Sequence, residues 1–350
     1  MTPPTADPRR SRFLDACRRQ PVDVTPVWFM RQAGRSLPEY RAVRERASLT
    51  DIVGDADLCA EVSLQPVARL GVDAAIVFAD ITTPLPGAGV EVRLEEGIGP
   101  IIDAPIRAAA DIARLHAFDP DASVRPLLDA INKLAAASPV PVIGFAGAPF
   151  TLAAYLIEGR SPRGLERTKV LMRSDPGTWA SLLERLVDMD VAYLRAQAAA
   201  GASALQLFDS WVGALSPHDY RAHVLPHVRR LFEALGDLDV PTIHFGTGTA
   251  GLLEVMAEAG GDVIGLDWRV DLDAAWARLP DRSVQGNLDP DVLLGPWDDV
   301  EAQVQRILAE AGGRPGHVFN LGHGVLPATD PDVLRRVVEL VHTEGNRRPR

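Results

Sequence analysis

The sequence contains little cysteine, and this shortage argues against a fold stabilised by disulfides or by metal-binding cysteines. Only two cysteines, Cys17 and Cys59, occur among 350 residues, and neither lies in a CxxC or Cys/His spacing. A disulfide framework and a cysteine-rich metal site are therefore poor expectations, and the protein is expected in a reducing compartment.

Basic charge and long hydrophobic runs are also scarce. Lys and Arg number 36 against 47 Asp and Glu, which gives a net charge of −11. Binding to nucleic acid or to an anionic membrane usually needs a basic surface, so neither partner is expected. No apolar run approaches the length of a membrane span or of a signal-peptide core, and we expect a cytoplasmic protein.

What the sequence does contain is an alternation of short apolar strands with helical stretches. Continuous apolar strands are typical of a parallel sheet that is covered on both faces. The predicted strands are TPVWFM (25–30), AAIVFAD (74–80), VPVIGFAG (140–147), SALQLFDS (203–210), VPTIHFG (240–246), DVIGLDW (262–268), SVQGNLD (283–289) and HVFNLGHG (317–324). Eight strand–helix units predict an α/β fold, a single (β/α)8 TIM barrel.

The chain is longer than a usual barrel of about 250 residues. Segment 89–106 alternates around a glycine turn and predicts a β-hairpin inserted after the second strand. No low-complexity linker divides the chain, so we expect one barrel domain over residues 12–345. Flexible tails are expected at 1–11 and 346–350.

Polar side chains follow the predicted strands at their carboxyl ends, where barrels of this type hold their chemistry. The stretch VWFMRQAGRSLPEYR changes abruptly from apolar residues to Arg31 and Arg35 after the first strand. Tyr155 lies a few residues beyond the third strand. The other strand-end residues are Asp80, Asp209, Ser210, His244, Asp267, Asn287, Asn320 and His323. This set predicts a site for a polycarboxylate that also carries N–H or cationic groups.

Five stretches closely resemble the uroporphyrinogen decarboxylase family of haem biosynthesis: MRQAGRSLPEYRAVR, FADITTPLPGAG, GFAGAPFTLAAYLIEG, LQLFDSWVGALS and NLGHGVLPATDP. They occur in the family's order and span nearly the whole chain. The resemblance implies a single barrel, usually a homodimer, that acts as a carboxy-lyase without metal or other cofactor. The implied reaction removes CO₂ from the four acetate side chains of uroporphyrinogen III and gives coproporphyrinogen III.

The resemblance also implies roles for individual residues. The implied catalytic residues are Asp80, Arg31 and Arg35, with Asp80 accepting hydrogen bonds from the pyrrole N–H groups. The implied substrate-binding residues are Arg31, Gln32, Ala33, Gly34, Arg35, Arg44, Asp80, Tyr155, Phe208, Ser210 and His323. The proton donor stays open between an arginine and a relay through water or a substrate propionate. The order of the four decarboxylations and the selectivity between isomers also stay open.

Each of these assignments has a structural alternative. Loop arginines commonly form salt bridges, and Asp80 in DITTP also suits the capping of a turn. Tyr155 lies in an apolar helical run, and a serine such as Ser210 usually caps the next helix. For His323 the structural alternative is a packed core residue, although its two glycine neighbours permit the close approach of a ligand.

Two other motifs point to different chemistry. GTGTAG at 246–251 matches the dinucleotide fingerprint, with Asp267 about 20 residues further on, but the chain has no room for a second Rossmann half. His223 and His227, with His218 nearby, have a spacing that suits zinc on a helix. Pro226 and the lack of an HExxH pattern favour a packed or solvated helix instead.

Two alternative functions remain open from the sequence. A zinc-dependent corrinoid-linked methyltransferase of the same barrel superfamily needs thiolate ligands, yet no cysteine follows Cys59. A non-enzymatic binding module that uses the same barrel is the other alternative. The combination of Arg31, Asp80, Tyr155 and His323 argues against it, and a turnover assay separates the two.

Overall fold

The computed structural model of the protein describes residues 11–95, 99–162 and 164–345. Apart from Ser11, the predicted tails lie outside these ranges. Within them the strands are β1 (Ala75–Ile76), β2 (Val92–Glu95), β3 (Gly99–Ile102), β4 (Val142–Gly147), β5 (Ala204–Asp209), β6 (Thr242–Gly246), β7 (Val263–Gly265), β8 (Ser283–Gln285) and β9 (His317–Val318).

The helices of the described ranges lie mostly between consecutive strands. They are α1 (Arg12–Cys17), α2 (Pro38–Arg44), α3 (Leu49–Gly54), α4 (Ala56–Leu70), α5 (Ala109–Ile112), α6 (Pro120–Ser123), α7 (Arg125–Ala137), α8 (Pro149–Glu158), α9 (Glu166–Ser174), α10 (Pro176–Ala199), α11 (Pro217–His223), α12 (Leu225–Leu235), α13 (Leu253–Ala259), α14 (Leu272–Ala277), α15 (Trp297–Ala311) and α16 (Pro331–Glu344). Short 3-10 helices cover Leu85–Ala88, Val212–Ala214 and Pro290–Leu294.

In the described part of the chain, seven parallel strands form one curled sheet in the order β1-β4-β5-β6-β7-β8-β9. The first predicted strand, 25–30, does not join this sheet as a regular strand. It bridges the two edges instead, because Val27 pairs with Phe319 next to β9 and the Val27 carbonyl accepts from Asp73 N, 2.8 Å away, just before β1. Pro26 lacks an N–H group, which shortens the ladder on this segment. The bridging segment completes the predicted barrel order.

The hairpin after the second predicted strand is confirmed. Strands β2 and β3 pair antiparallel, with Val92 opposite Ile102 and Glu95 opposite Gly99. Residues 96–98, which connect them, lie outside the described residues. The next connection, through α5, α6 and α7, returns the chain to β4 beside β1.

The longest helix, α10, shows how the sequence specifies the outer layer. Its first turn contains Pro176 and is capped by Asp175, whose carboxylate accepts from Thr178 N at 3.0 Å. Its apolar side is buried against the sheet and neighbouring helices and consists of Leu182, Leu183, Leu186, Val187, Met189 and Leu194. Helix formation here follows from the apolar periodicity together with the cap.

Buried apolar side chains from Phe13 to Val341 form one cluster. This supports the one-domain interpretation of residues 12–345, which stays a prediction. A polar chain crosses the middle of the barrel, where Trp28 Nε1 donates to Gln285 Oε1 at 3.0 Å and Gln285 Nε2 donates to Gln206 Oε1 at 3.1 Å. Among the described residues, no helix combines the length and the apolar character needed to cross a bilayer.

Candidate active site

Arg31 leaves the bridging segment in an unusual backbone conformation. Its φ is +62°, a left-handed value that is rare and strained for a side chain of this size. The surrounding structure enforces it, because Met30 N donates to Asn320 Oδ1 at 3.1 Å and Met30 O accepts from Val325 N at 2.8 Å. The Arg31 side chain is exposed and has no hydrogen bond or ion pair with a described residue. Backbone strain at a free arginine is typical of a ligand-binding position.

Gln32 has a different role in the same loop. It is fully buried; its Oε1 accepts from Phe29 N at 3.0 Å and its Nε2 donates to Ala74 O at 2.9 Å. The amide thus ties the loop to the start of β1 and supports the Arg31 backbone. Its predicted contact with a ligand stays a prediction, and the structure favours a positioning role. Ala33 is also buried.

The two arginines at the far side of this loop differ from Arg31. Arg35 is exposed, and its carbonyl accepts from Arg41 Nη1 at 3.1 Å, which fixes the backbone at the start of α2. Arg44 lies at the end of α2, where its Nη1 donates to Ala47 O at 2.7 Å. The Arg44 guanidinium therefore stabilises the end of its own helix, and its place in a ligand site stays a prediction.

The two oxygens of the Asp80 carboxylate differ in their contacts. Oδ1 accepts from Thr82 N at 2.8 Å and from Thr82 Oγ1 at 2.6 Å, while Asp80 N donates to Thr83 Oγ1 at 3.1 Å. The turn-capping alternative is therefore present in the structure. Oδ2 has no hydrogen-bond partner among the described residues, and the side chain is half-buried. A fixed carboxylate with one free oxygen is well suited to accept hydrogen bonds from a ligand.

Tyr155 links Asp80 to Arg31 in space. It lies on α8, is 8% exposed, and packs against Trp211 with ring centroids 6.2 Å apart. Burial raises the pKa of the Tyr155 phenol; the negative charge of Asp80 raises it further, and the positive charge of Arg31 opposes the rise. Both charged groups thus lie within electrostatic reach of one phenol, although they are distant in sequence.

His323 lies between two glycines that are in close contact with other loops. A Cβ on Gly322 would fall 2.4 Å from Trp268 N, and a Cβ on Gly324 would fall 2.4 Å from Arg31 Cδ. The GHG sequence was expected to make room for a ligand. The same small residues also let the loop after β7 pack against Gly322 and the Arg31 side chain pack against Gly324. Room for a ligand beside His323 stays a prediction.

The surroundings of His323 keep its imidazole neutral. Burial lowers the pKa of His323 to about 4, the positive charges of Arg31 and Arg269 lower it as well, and Asp267 works in the opposite direction. At neutral pH the ring therefore carries one N–H donor and one acceptor nitrogen.

Phe208 and Ser210 end β5 on the same side of the barrel. Phe208 is half-buried and packs edge-to-face against Phe145 and Phe245, with centroids 5.4 and 5.9 Å apart. Three aromatic rings thus form a wall near the strand ends. Ser210 is half-buried, and its carbonyl accepts from Thr247 Oγ1 at 2.6 Å.

The remaining strand-end residues hold loops in place. Asp209 is buried and accepts from Thr151 Oγ1 on α8 at 2.8 Å, and buried His244 packs against Phe232 on α12. Asn287 Nδ2 donates to Asp267 O at 2.9 Å. Alternate residues of a strand point to opposite sides, so the end of a strand carries residues of both faces. A strand-end location alone therefore does not separate these structural residues from those that face the site.

The GTGTAG loop is occupied by contacts within the protein. Asp267, which would meet a ribose in a dinucleotide fold, accepts from Gly248 N through its Oδ2. A Cβ on Gly213 would fall 2.1 Å from Thr247 O, so the loop packs directly against the connection after β5. Gly213 and Gly248 thus serve loop–loop packing.

The histidine motif does not form one helical face. The helix is interrupted at Val224, between α11 and α12. His223 therefore ends one helix and His227 belongs to the next. The His223 carbonyl accepts from Trp179 Nε1 at 2.8 Å. Across the described ranges no group of three or more His, Cys, Asp or Glu side chains is arranged to hold a metal ion.

Comparison with known proteins shows the family. The family model described as Uroporphyrinogen decarboxylase (URO-D) matches residues 8–344. The chain belongs to the uroporphyrinogen decarboxylase family. The uroporphyrinogen decarboxylase of Streptomyces coelicolor is 54% identical over 99% of this chain and 97% of its own length. That of Thermus thermophilus is 54% identical over 94% of this chain and 96% of its own length.

Comparison with solved structures supports the fold of this decarboxylase family member. A methyltransferase from Methanosarcina mazei superposes with a TM-score of 0.80 at 19% identity, covering 95% of this chain and 98% of the other. A B12-independent methionine synthase from a Shewanella species superposes with a TM-score of 0.56 at 13% identity, covering 85% and 89% of the two chains. At these identities the likeness shows the shared barrel and nothing of the chemistry.

Proposed function

We propose that the protein is a uroporphyrinogen decarboxylase that converts the four acetate side chains of uroporphyrinogen III into methyl groups. CO₂ is released and coproporphyrinogen III is formed. The observation that supports this best is the identity of 54% with the Streptomyces coelicolor uroporphyrinogen decarboxylase over 99% of the chain. Near Tyr155, the Arg31 guanidinium and Asp80 Oδ2 have no partner among the described residues. A cation and a carboxylate oxygen agree in type with a substrate that carries both carboxylates and pyrrole N–H groups.

The substrate itself makes this chemistry accessible without a cofactor. When CO₂ leaves an acetate, the electron pair of the breaking C–C bond needs an acceptor. Protonation of the neighbouring pyrrole carbon turns that ring into an iminium-like acceptor next to the acetate methylene. After CO₂ leaves, the methylene takes up a proton to become a methyl group, and the ring carbon loses its added proton, which restores the pyrrole. The enzyme then has to hold the substrate and to stabilise the positive charge that develops on the ring.

Asp80 is the proposed source of that stabilisation. Its Oδ2 is free of protein partners among the described residues, while Thr82 holds Oδ1 through two hydrogen bonds. The carboxylate is thus oriented before substrate binds and needs little reorganisation during the reaction. In the proposed complex it accepts hydrogen bonds from the pyrrole N–H groups and opposes the charge of the protonated ring.

The carboxylates of the substrate are assigned to Arg31 and Arg35. Arginine stays protonated and presents parallel N–H donors that match a carboxylate. Neutral His323 and Tyr155, each an N–H or O–H donor, are proposed to contact acetate or propionate arms, as is Ser210. Phe208 is proposed to pack against the macrocycle, since it belongs to the aromatic wall.

We further propose that the enzyme works as a cytoplasmic homodimer without metal, pyridoxal or nucleotide. The sequence resemblance supports the dimer. The two free, buried cysteines agree with a reducing compartment. Sedimentation equilibrium tests the assembly, with a mass of two chains expected. A mass of one chain at the concentration used for the activity assay would contradict it.

The function is tested by anaerobic incubation with uroporphyrinogen III, followed by oxidation and separation of the products by carboxylate number. We expect stepwise loss of the four acetate carboxylates without added nucleotide, and equal rates with and without exhaustive chelation. An unchanged substrate would contradict the proposal. Activity that disappears with chelator and returns with zinc would move the protein to the methyltransferase branch.

A further inference from the structure

The loop after β7 brings an additional arginine to the site. Trp268 N lies in direct contact with Gly322, the residue before His323. Arg269 follows Trp268 and is exposed. The segment that contains Arg269 therefore packs against the residue before His323, and the Arg31 side chain packs against the residue after it, Gly324.

The guanidinium of Arg269 is held in a fixed orientation. Its Cζ lies 3.9 Å from the centroid of the Trp268 ring, and its Nη1 lies 2.6 Å from Asp267 Oδ2. Asp267 is itself 1% exposed and accepts from the backbone of Arg269 at 3.0 Å and from Gly248 N. A guanidinium fixed in this way loses little conformational entropy when it binds a ligand.

One edge of the Arg269 guanidinium binds Asp267, and the other edge is available to a ligand. The side chain of Arg269 is 51% exposed while that of its partner Asp267 is 1% exposed, so the pair presents its positive end to solvent. Nε and Nη2 have no hydrogen-bond partner within the described residues. The effect of Arg269 on the pKa of His323, which adds to those of burial and Arg31, agrees with its position beside that ring.

We propose that Arg269 binds a carboxylate at the rim of the substrate, near His323. The inference rests on the proposed function, because it assigns to Arg269 one of the acid arms of a tetrapyrrole. Such a substrate distributes its carboxylates around a macrocycle, so cations on one loop cannot reach all of them. Arg269 places a cation on a loop that is separate from the RQAGR loop.

A purely structural role makes a different prediction. An exposed ion pair stacked on a tryptophan contributes little to stability, and its loss would leave substrate affinity unchanged. Arg314 provides a matched control: its Cζ lies 4.2 Å from the centroid of Trp276, and its Nε and Nη2 donate to backbone carbonyls of α15. It precedes β9, at the end of the barrel opposite the strand-end site.

The experiment compares steady-state kinetics of wild type, Arg269→Gln, Arg269→Lys and Arg314→Gln with uroporphyrinogen III. We expect Arg269→Gln to raise KM about tenfold, as the loss of one charge-assisted contact does, with kcat changed by less than about twofold. Arg269→Lys, which keeps the charge and the fold, should fall between Arg269→Gln and wild type. Arg314→Gln should match wild type, and thermal unfolding confirms that each variant is folded.

An unchanged KM in both Arg269 variants would overturn the inference. Equal losses of kcat/KM in Arg269→Gln and Arg314→Gln would also overturn it, because that pattern reports a general effect of losing a stacked arginine. Wild-type turnover in the same assay tests the proposed function by itself. An active wild type with an indifferent Arg269 therefore contradicts only this inference.

Discussion

Two aspartates flank the same strand, and their surroundings differ sharply. Asp73, before β1, is fully buried, and its oxygens lie 2.9 Å from Arg12 Nη1, 2.8 Å from Val27 N and 2.7 Å from His342 Nε2. Asp80, after the strand, is half-buried and keeps one oxygen without a partner among the described residues. At the amino end of β1 the aspartate is fully satisfied by groups of the protein, while at the carboxyl end an oxygen of the aspartate is left available for the proposed ligand.

The arginines repeat this contrast. Arg12, at the amino end, has a side chain 9% exposed and forms ion pairs with Asp23 and Asp73. Arg31, at the carboxyl end, is exposed, has a strained backbone and has no ion pair with a described residue. A buried ion pair is costly to break, because the remaining partner is left without compensation. An unpaired exposed arginine contributes little to stability and is available for binding.

A large effect that would sharpen this contrast is expected from Arg31→Lys. Lysine keeps the charge but loses the planar pair of donors that matches a carboxylate. We expect kcat/KM to fall about 10- to 100-fold, which corresponds to one charge-assisted contact of about 1.5–3 kcal/mol, with an unchanged thermal midpoint. Arg12→Lys is the matched control and should lower stability without changing the rate of the folded enzyme. Near-native kinetics for Arg31→Lys would show that this arginine is structural.

A smaller effect is expected from Gly324→Ala, which perturbs Arg31 without changing it. The added Cβ would meet Arg31 Cδ at 2.4 Å. A flexible side chain can move away, so stability should change by less than about 1 kcal/mol, while kcat/KM should fall about tenfold. Gly251→Ala, where a Cβ meets no atom within 4 Å, is the control. If both variants retain wild-type kinetics, the position of Arg31 is not critical.

The smallest effect concerns pH and a histidine far from the ligand site. His317 at the start of β9 is buried, and burial lowers its pKa to about 4. Between the ordinary pKa near 6.5 and this value, the unfolded chain binds a proton that the folded chain does not. The free energy of unfolding is therefore unaffected by the titration of His317 above about pH 6.5. It declines as pH falls toward 4, by at most about 1.4 kcal/mol per pH unit from this group.

The measurement is the free energy of unfolding of wild type and His317→Gln across that pH range. The difference between the two proteins cancels the other titrating groups. We expect a shallower decline in the variant, since one proton-linked group has been removed. Parallel curves would contradict the pKa assigned to His317.

Much of this arrangement was predictable from sequence, and the failures have physical causes. The alternation of strands and helices and the hairpin follow from local periodicity, and they are confirmed. The segment 25–30 was expected as a regular strand, but Pro26 and the edge position reduce it to a bridge between Val27 and Phe319. The edge position depends on tertiary closure and has no local signal, whereas Pro26 is a local signal against a regular strand.

The sequence predicts where the candidate site lies, at the strand ends, but not how its residues divide their roles. Strand-end position identified Asp80 and His323 together with Asp209 and His244, which face outer helices. The use of Gln32 for the backbone and the placement of Arg269 beside His323 depend on contacts between distant loops. The threonine two residues after Asp80, in DIT, was a local signal that the carboxylate holds its own turn.

The central claim is tested most directly by Asp80→Asn and Asp73→Asn measured side by side, for both kcat and free energy of unfolding. For Asp80→Asn we expect kcat to fall about 10²- to 10³-fold with stability close to wild type, because the amide oxygen still accepts from Thr82. For Asp73→Asn we expect a stability loss of about 3 kcal/mol with kcat within about twofold of wild type. An Asp80→Asn enzyme that turns over at the wild-type rate would contradict the account.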